Sequence, residues 1–267
     1  MNIEEMKEKK RELGYSIKQI SKLSGVPMTT IQKIFSGETK SPRYETMQAL
    51  TKVFEKKNYS YMFGETAVPY GAGDDEKTIE DYYALPEGLH VELIDGKFYN
   101  KYGYDDIYDM SGPSTTHQFI SDEIITIFKT FIRDNKGRCL PFTSPIDVQL
   151  DENDNSIVQP DILILCDRDK LTKEKIIGAP DFIIEIASPN NVAADTVTKM
   201  LKYRKSGVKE YWIIFPIEEK IMVYEFTKQD LPVEYSFTDE IPVGIWDGKC
   251  KVDFNKIKQS LHEIYGE

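Results

Sequence analysis

Val91-Glu92-Leu93-Ile94-Asp95-Gly96, Gln159-Pro160-Asp161-Ile162-Leu163-Ile164-Leu165 and Phe182-Ile183-Ile184-Glu185-Ile186-Ala187-Ser188-Pro189 decide how the larger part of this chain folds. Each is an apolar, β-branched run of strand length, suited to a buried or half-buried sheet position. Each also plants an acidic residue inside that run. An ionised carboxylate taken out of water costs several kcal/mol unless a cation meets it. Three of them predict a common positive partner, and a divalent metal ion is the simplest. Metal-assisted chemistry is the reading, rather than packing.

Around these runs the pattern alternates. Residues 78–90 predict a short helix stopped by Pro86, followed by strands over 91–99 and 106–110. Ser114 is a candidate cap for a long helix over 115–134, with Phe119, Ile124, Ile125, Phe128, Phe131 and Ile132 on its apolar stripe. Strands over 138–142, 146–150, 160–166 and 181–187 precede a helix over 193–205. The run from Glu210 to Phe215 and a last strand over 220–226 complete the pattern. Helices and strands alternating around a mixed central sheet define an α/β class.

The chain has 267 residues and a net charge of −11, unevenly spread. Residues 1–57 carry 12 basic and 7 acidic side chains, against 22 and 38 in the remainder. A basic head on an acidic body predicts two modules with different partners. No apolar run of about 18 residues is present, so no membrane span is expected. The charged start lacks the apolar core of a signal peptide. Cys139, Cys166 and Cys250 are scattered without C-x-x-C spacing. They argue for a reducing cytoplasm, and against a zinc site or a disulfide framework.

In the head, residues 3–13 form an amphipathic helix carrying Met6 and Leu13, broken by Gly14. Ser16 caps a second helix with Ile17, Ile20 and Leu23 inward. Ser24-Gly25-Val26 turns the chain, Pro27 starts a third helix with Ile31 and Ile34 inward, and Gly37 ends it. A fourth begins near Ser41-Pro42 and buries Met47, Leu50, Val53 and Phe54. Two short helices joined by a glycine turn make a helix-turn-helix. The run from Ser16-Ile17-Lys18-Gln19-Ile20 through Ser24-Gly25-Val26-Pro27 to Ile34-Phe35-Ser36-Gly37 resembles the Cro/C1-type (XRE) repressor domain, over about residues 2–56. The resemblance implies that the third helix enters a major groove of DNA. Thr29, Thr30, Gln32 and Lys33 then face base edges or phosphates, and Gln19 lies near the backbone. It also implies a homodimer; a protein-interaction module is the other use of such a head. Domain boundaries are expected at 1–57, 58–77 and 78–267. The middle piece reads as a linker, with Tyr59, Tyr61, Met62 and Phe63 packed and 71–77 a hinge.

The order helix, strand, Asp-bearing strand, Glu-bearing strand, helix resembles the PD-(D/E)xK nucleases. More narrowly, residues 78–226 resemble the Uma2 family, also called DUF820, of restriction-endonuclease type. The matching pieces are Glu80-Asp81-Tyr82, Glu92-Leu93-Ile94-Asp95-Gly96, Met110-Ser111-Gly112-Pro113-Ser114 with His117, and Gln159-Pro160-Asp161. Gly178-Ala179-Pro180-Asp181 and Glu185-Ile186-Ala187-Ser188-Pro189 follow, then Asp195, Lys199 and Tyr203, then Gly207-Val208-Lys209-Glu210-Tyr211-Trp212.

Phosphodiester hydrolysis needs a polarised phosphorus, an activated water and charge relief on the leaving oxygen. Hard oxygen ligands select Mg²⁺ or Mn²⁺. Asp161 and Glu185 can converge on one ion if their strands are neighbours. Asp181, on the same strand as Glu185, stands about 13 Å away at ~3.3 Å per residue, too far to share it. Glu92 is expected as a further ligand or as the group orienting the metal's water. Ala187 stands where the superfamily usually has lysine, and the resemblance moves that role to Lys199 on the following helix. An exposed Asp195–Lys199 pair is the plainer alternative, although Thr196, Lys199, Met200 and Tyr203 share one stripe. His117 is read as a phosphate or supporting contact, or a plain helix-start residue. Gln159 either bonds metal water or closes an edge strand, and Tyr203 packs over the site. Asp147 reads as a surface or supporting carboxylate, and Tyr211-Trp212 as core. The expectation is a metal-dependent DNA endonuclease with a targeting or autoregulatory head. The alternative is a transcriptional regulator whose nuclease-like body is silent and serves dimerisation or sensing.

Overall fold

The computed structural model describes residues 2–12, 17–39, 42–55, 76–102, 112–150, 155–188, 199–229 and 231–266. Several expectations lie outside that set: Leu13, Gly14, the Ser16 cap, Ser41, the linker up to residue 75, and the strand over 106–110 with Met110-Ser111. Pro189, Asp195 and Thr196 also lie outside it, as do the side chains of Gln19 and Leu23. The chain divides into two compact units, Met1–Gly64 and Glu65–Glu267.

Among its described residues the first unit has four helices, α1 (Ile3–Glu12), α2 (Ile17–Ser24), α3 (Met28–Phe35) and α4 (Tyr44–Glu55). Met6, Ile20, Val26, Ile31, Ile34, Leu50, Val53 and Phe54 form its core. Between α2 and α3, Gly25 takes φ +70°, which costs a residue without Cβ little. Ser24 Oγ accepts from the Val26 N–H at 3.1 Å, so the turn satisfies its own backbone. Pro27 precedes α3 with no N–H to lose.

In the second unit, α5 (Ile79–Tyr83) starts in a capping box between Thr78 and Asp81. The single strand expected over 91–99 is instead a hairpin, β1 (Val91–Ile94) and β2 (Lys97–Asn100). Asp95 (φ 47°) and Gly96 (φ 71°) are both left-handed, as a two-residue hairpin turn demands. The Asp-Gly signal was in the sequence; the apolar run around it hid it. The long helix α6 (Thr115–Asp134) has the expected bounds, and Ser114 Oγ caps it by accepting from the His117 N–H.

Among the described residues the strands form three sheets rather than one, two large and one of only two strands. A five-stranded sheet runs β2-β1-β5-β4-β7, adding β4 (Val148–Gln149), β5 (Ile157–Val158) and β7 (Ile176–Ile177). A six-stranded sheet runs β11-β10-β9-β8-β6-β3. It contains β3 (Leu140–Thr143), β6 (Ile162–Leu165), β8 (Phe182–Ile186), β9 (Glu210–Phe215), β10 (Lys220–Glu225) and β11 (Val233–Ser236). Only β8 and β9 pair in parallel within it, and α7 (Met200–Ser206) lies in the crossover that parallel pairing needs. Alternation sorts the strand residues to two cores. Ile162, Ile164, Phe182, Ile184, Trp212 and Ile214 pack with α6. Leu163, Leu165, Ile183, Tyr211 and Ile213 pack with Tyr203 of α7 and with Ile94, Val148 and Val158 of the other sheet. Tyr211 and Trp212 are core, as expected.

Two further expectations need correction. The chain does not end its regular structure at 226: β11, β12 (Glu240–Pro242), β13 (Lys251–Asp253) and α8 (Phe254–Tyr265) follow. Their short strands carry weak periodicity, so only pairing and packing reveal them. Cys139 and Cys166 are joined in a disulfide, with Cys250 buried and free. Leu140 faces Leu165 across β3 and β6, so residues 139 and 166 meet one step further along. A sequence spacing of 27 carries no sign of that.

Candidate active site

Strand register brings Asp161 and Glu185 together. Ile162 faces Ile184 in the antiparallel pair β6–β8, which puts Asp161, the residue before β6, opposite Glu185. Both side chains leave the sheet on the face of Leu163 and Ile183, toward the core shared with the other sheet. Directly opposite residues hold their Cβ atoms about 5 Å apart. Glu92 arrives from β1 on the face that also carries Ile94. Lys199, directly before α7, meets two of the three acids: Nζ lies 2.8 Å from Glu92 Oε2 and 2.9 Å from Glu185 Oε1. One turn on, Tyr203 OH donates to Glu185 Oε1 at 2.7 Å. All of these side chains are buried.

Asp161 has its own ring of partners. The Ile186 N–H donates to its Oδ2 at 2.8 Å, and His117 Nε2 lies 3.0 Å from the same oxygen. Oδ1 lies 2.9 Å from Lys101 Nζ, an ion pair by distance whose direction makes no hydrogen bond. The Lys101 ammonium also donates to Ser144 Oγ at 2.9 Å and to the Gln159 carbonyl. Sequence reasoning missed Lys101. The rule that found the acids could have found it, since it is a lone cation between Tyr99-Asn100 and Tyr102 at a strand end. Behind the acids, the Gln159 N–H donates to Glu92 Oε1 at 2.8 Å, while the Gln159 side chain turns to Asp147 Oδ1 (2.9 Å) and Tyr82 OH (3.0 Å). Tyr82 OH donates to Asp147 at 2.9 Å, so Asp147 supports the site from a distance.

The two central acids are tuned in opposite directions. Burial pushes the Glu185 carboxyl up; Lys199 opposes this, and the neighbouring Asp161 and Glu92 charges reinforce it. Burial alone would also raise Asp161, but Lys101, His117 and the Ile186 N–H overcome it and hold Asp161 well below the usual carboxylate range. Burial and Glu185 together push the Tyr203 hydroxyl well above its ordinary value. Other buried acids show what a satisfied carboxylate looks like. Glu210 accepts from Trp212 Nε1 (2.7 Å) and the Ile245 N–H (2.8 Å), and Asp181 accepts from the Cys166 N–H and Lys209.

The Uma2 family, described as "Putative restriction endonuclease", matches residues 79–244, more than half of the chain. The chain belongs to the Uma2 family. A helix-turn-helix family matches residues 6–57, so the head is a helix-turn-helix domain. The crystal structure of a "putative nuclease belonging to DUF820" from Anabaena variabilis is similar in fold. It is 20% identical with a TM-score of 0.55, covering 68% of this chain and 97% of that one. No curated protein matches the chain. No helix among the described residues is long and apolar enough to cross a membrane.

In the Uma2 body, then, Glu92, Asp161, Glu185, Lys199, His117 and Tyr203 gather as one buried group, with Gln159 attached through its main chain. As the side chains stand, no three His, Cys, Asp or Glu among the described residues are grouped to hold a metal ion. Lys199 bridges Glu92 and Glu185, and Lys101 covers Asp161. The donor chemistry nevertheless fits a hard divalent cation. The oxygens that could hold one are carboxylates, those of Asp161 and Glu185 from neighbouring strands and that of Glu92 from the other sheet. Three carboxylates face two ammonium groups, and Asp161 Oδ1 is buried with no hydrogen-bond donor. In the head, Thr29, Gln32 and Lys33 stand exposed on α3, opposite the buried Ile31 and Ile34, with Thr30 half-buried. Lys33 Nζ pairs with Glu38 at 3.2 Å, an exposed contact of little strength that a phosphate can displace.

Proposed function

We propose that this Uma2 chain is a DNA-binding, metal-dependent nuclease that hydrolyses phosphodiester bonds, its head serving to target or autoregulate it. One observation carries the reading. Glu92, Asp161, Glu185 and Lys199, from four separate segments, lie in one buried group. Asp161 and Glu185 are the residues to hold Mg²⁺ or Mn²⁺, with Glu92 as a third carboxylate beside them. An ion held by these carboxylates would supply the polarisation of the phosphoryl group and the charge relief on the leaving oxygen that hydrolysis needs. The chain's own side chains do the rest. Lys199 is a fixed positive charge beside the attacked phosphate. Tyr203 holds Glu185 Oε1, and His117 with the Ile186 N–H holds Asp161 Oδ2. Thr29, Thr30, Gln32 and Lys33 contact the major groove and Gln19 the backbone, as a homodimer in the cytoplasm. The basic head supplies the affinity that an acidic body lacks.

Plasmid cleavage with Mg²⁺ and with Mn²⁺, comparing the wild type with Glu185→Ala, tests this. Cutting that the substitution abolishes supports the nuclease. A second reading, a regulator with a silent nuclease-like body, is favoured by the ammonium groups that occupy the acids and by Ala187. A clean gel shift with no cutting under either metal selects it.

A further inference from the structure

We infer that Lys101 is a built-in counter-cation, whose ammonium occupies the cation position at Asp161 and competes with a divalent ion for it. This rests on the metal-binding reading of the same site. Among the described residues, three oxygens meet Lys101 Nζ: a carboxylate (Asp161 Oδ1), a hydroxyl (Ser144 Oγ) and a main-chain carbonyl (Gln159). These are the oxygen types that ligate hard cations. The side chain is 2% exposed, so the position is built into the fold rather than visited from solvent. Directed bonds from it reach Ser144 and Gln159, whereas the contact with Asp161 Oδ1 is charge without a hydrogen bond. A cation with no angular demand can take over that oxygen.

Charge balance separates Lys101 from Lys199. Glu92, Asp161 and Glu185 together carry three negative charges, and a divalent ion with Lys199 alone cancels them. Were Lys101 to stay as well, these described side chains and the ion would sum to one excess positive charge. The nearby Lys202 does not alter the count, because it is paired with Asp95 at 2.5 Å. Excess buried charge is strongly unfavourable. Ion binding therefore favours withdrawal of Lys101, and the chain holds its metal more weakly than its carboxylates allow.

Titration of the full chain with Mn²⁺, with free ion read by electron paramagnetic resonance, tests the idea without reference to cleavage. Lys101→Gln, which keeps donors for Ser144 and Gln159, and Lys101→Met are expected to bind Mn²⁺ about tenfold tighter or more than the wild type. Lys101→Arg, which keeps the charge, shows no gain. Adding Asp161→Asn to Lys101→Gln removes the gain. Equal or weaker binding by folded Lys101→Gln overturns the inference while leaving the metal reading intact. Absence of Mn²⁺ binding by every form overturns both. The wild type provides a measurement that needs no variant. Saturating Mn²⁺ should open Lys101 to acetic anhydride, read by peptide mass spectrometry. A Lys101 that stays protected with Mn²⁺ bound overturns the inference.

Discussion

The head and the body treat charge in opposite ways. In the head, aliphatic and aromatic side chains make the core, and Lys33 and Glu38 each leave more than half of their side chains in water. In the body, Glu92, Asp161, Glu185, Lys101 and Lys199 are at most 4% exposed. The difference teaches where function is coupled to stability. A contact face on α3 can change without touching the Ile31 and Ile34 that hold the helix down. The acids of the body cannot change so freely, since the groups proposed for chemistry also neutralise one another out of water.

The sharpest way to break this comparison is at the body. Glu185→Ala is expected to lower metal-dependent DNA cleavage by about 10²–10³-fold or more, the scale of losing a preorganised charge at a reacting phosphate. Unchanged rates in a plasmid assay would remove the acids from the chemistry. Next, Lys199→Ala strands Glu92 and Glu185 without their shared cation, and should cost about 3–5 kcal/mol of unfolding free energy in urea. A loss below about 1 kcal/mol would mean that the pair is wet and the contrast with the head false.

Acid provides a third probe. Asp161 is held below its unfolded value of about 3.9. The stabilisation from its partners is thus complete above the ordinary carboxylate range, and lost as the pH falls through that range toward the lower folded value. Glu185, pushed up by burial, has the opposite sign: its contribution worsens as the pH rises past about 4.3, its unfolded value. Asp161→Asn should therefore flatten the acid limb of stability below about pH 5, and a limb as steep as the wild type's would show that Lys101 and His117 do not hold the carboxylate.

The smallest effects belong to the head. Gln32→Ala should weaken a specific DNA site by about 1–3 kcal/mol if it reads a base edge. Lys33→Ala should reduce the salt slope of binding by about one. Both should leave unfolding within about 0.5 kcal/mol of the wild type. A large loss of stability from either would make α3 a packing element and erase the division of labour.

Much of this was legible without coordinates, for a local reason. The α6 bounds follow from Ser114 and a 3.6-residue apolar stripe. The α2–α3 turn follows from Gly25 and Pro27. The acids of β1, β6 and β8 stood out because charge inside an apolar run violates burial. The hairpin at Asp95-Gly96 carried its own signal and was overridden by the apolar run around it. The terminal strands left too little periodicity to read, whereas α8 was legible and missed: Phe254, Ile257 and Leu261 stand at helical spacing behind an Asp253 cap.

What the sequence by itself determined is the helices of the head, α6, the central strands in their order, and the odd acids among them. Periodicity, caps and turn residues act over a few positions of the chain. Only the tertiary structure decided partnership: Lys199 between Glu92 and Glu185, Lys101 and His117 at Asp161, Cys139 against Cys166, and several sheets instead of one. Those pairings join segments from 14 residues apart (Lys199 and Glu185) upward, through strand register and the packing of one sheet on another. A contact of that kind leaves no trace in local spacing, because either partner alone is simply a charge or a thiol awaiting something to meet it.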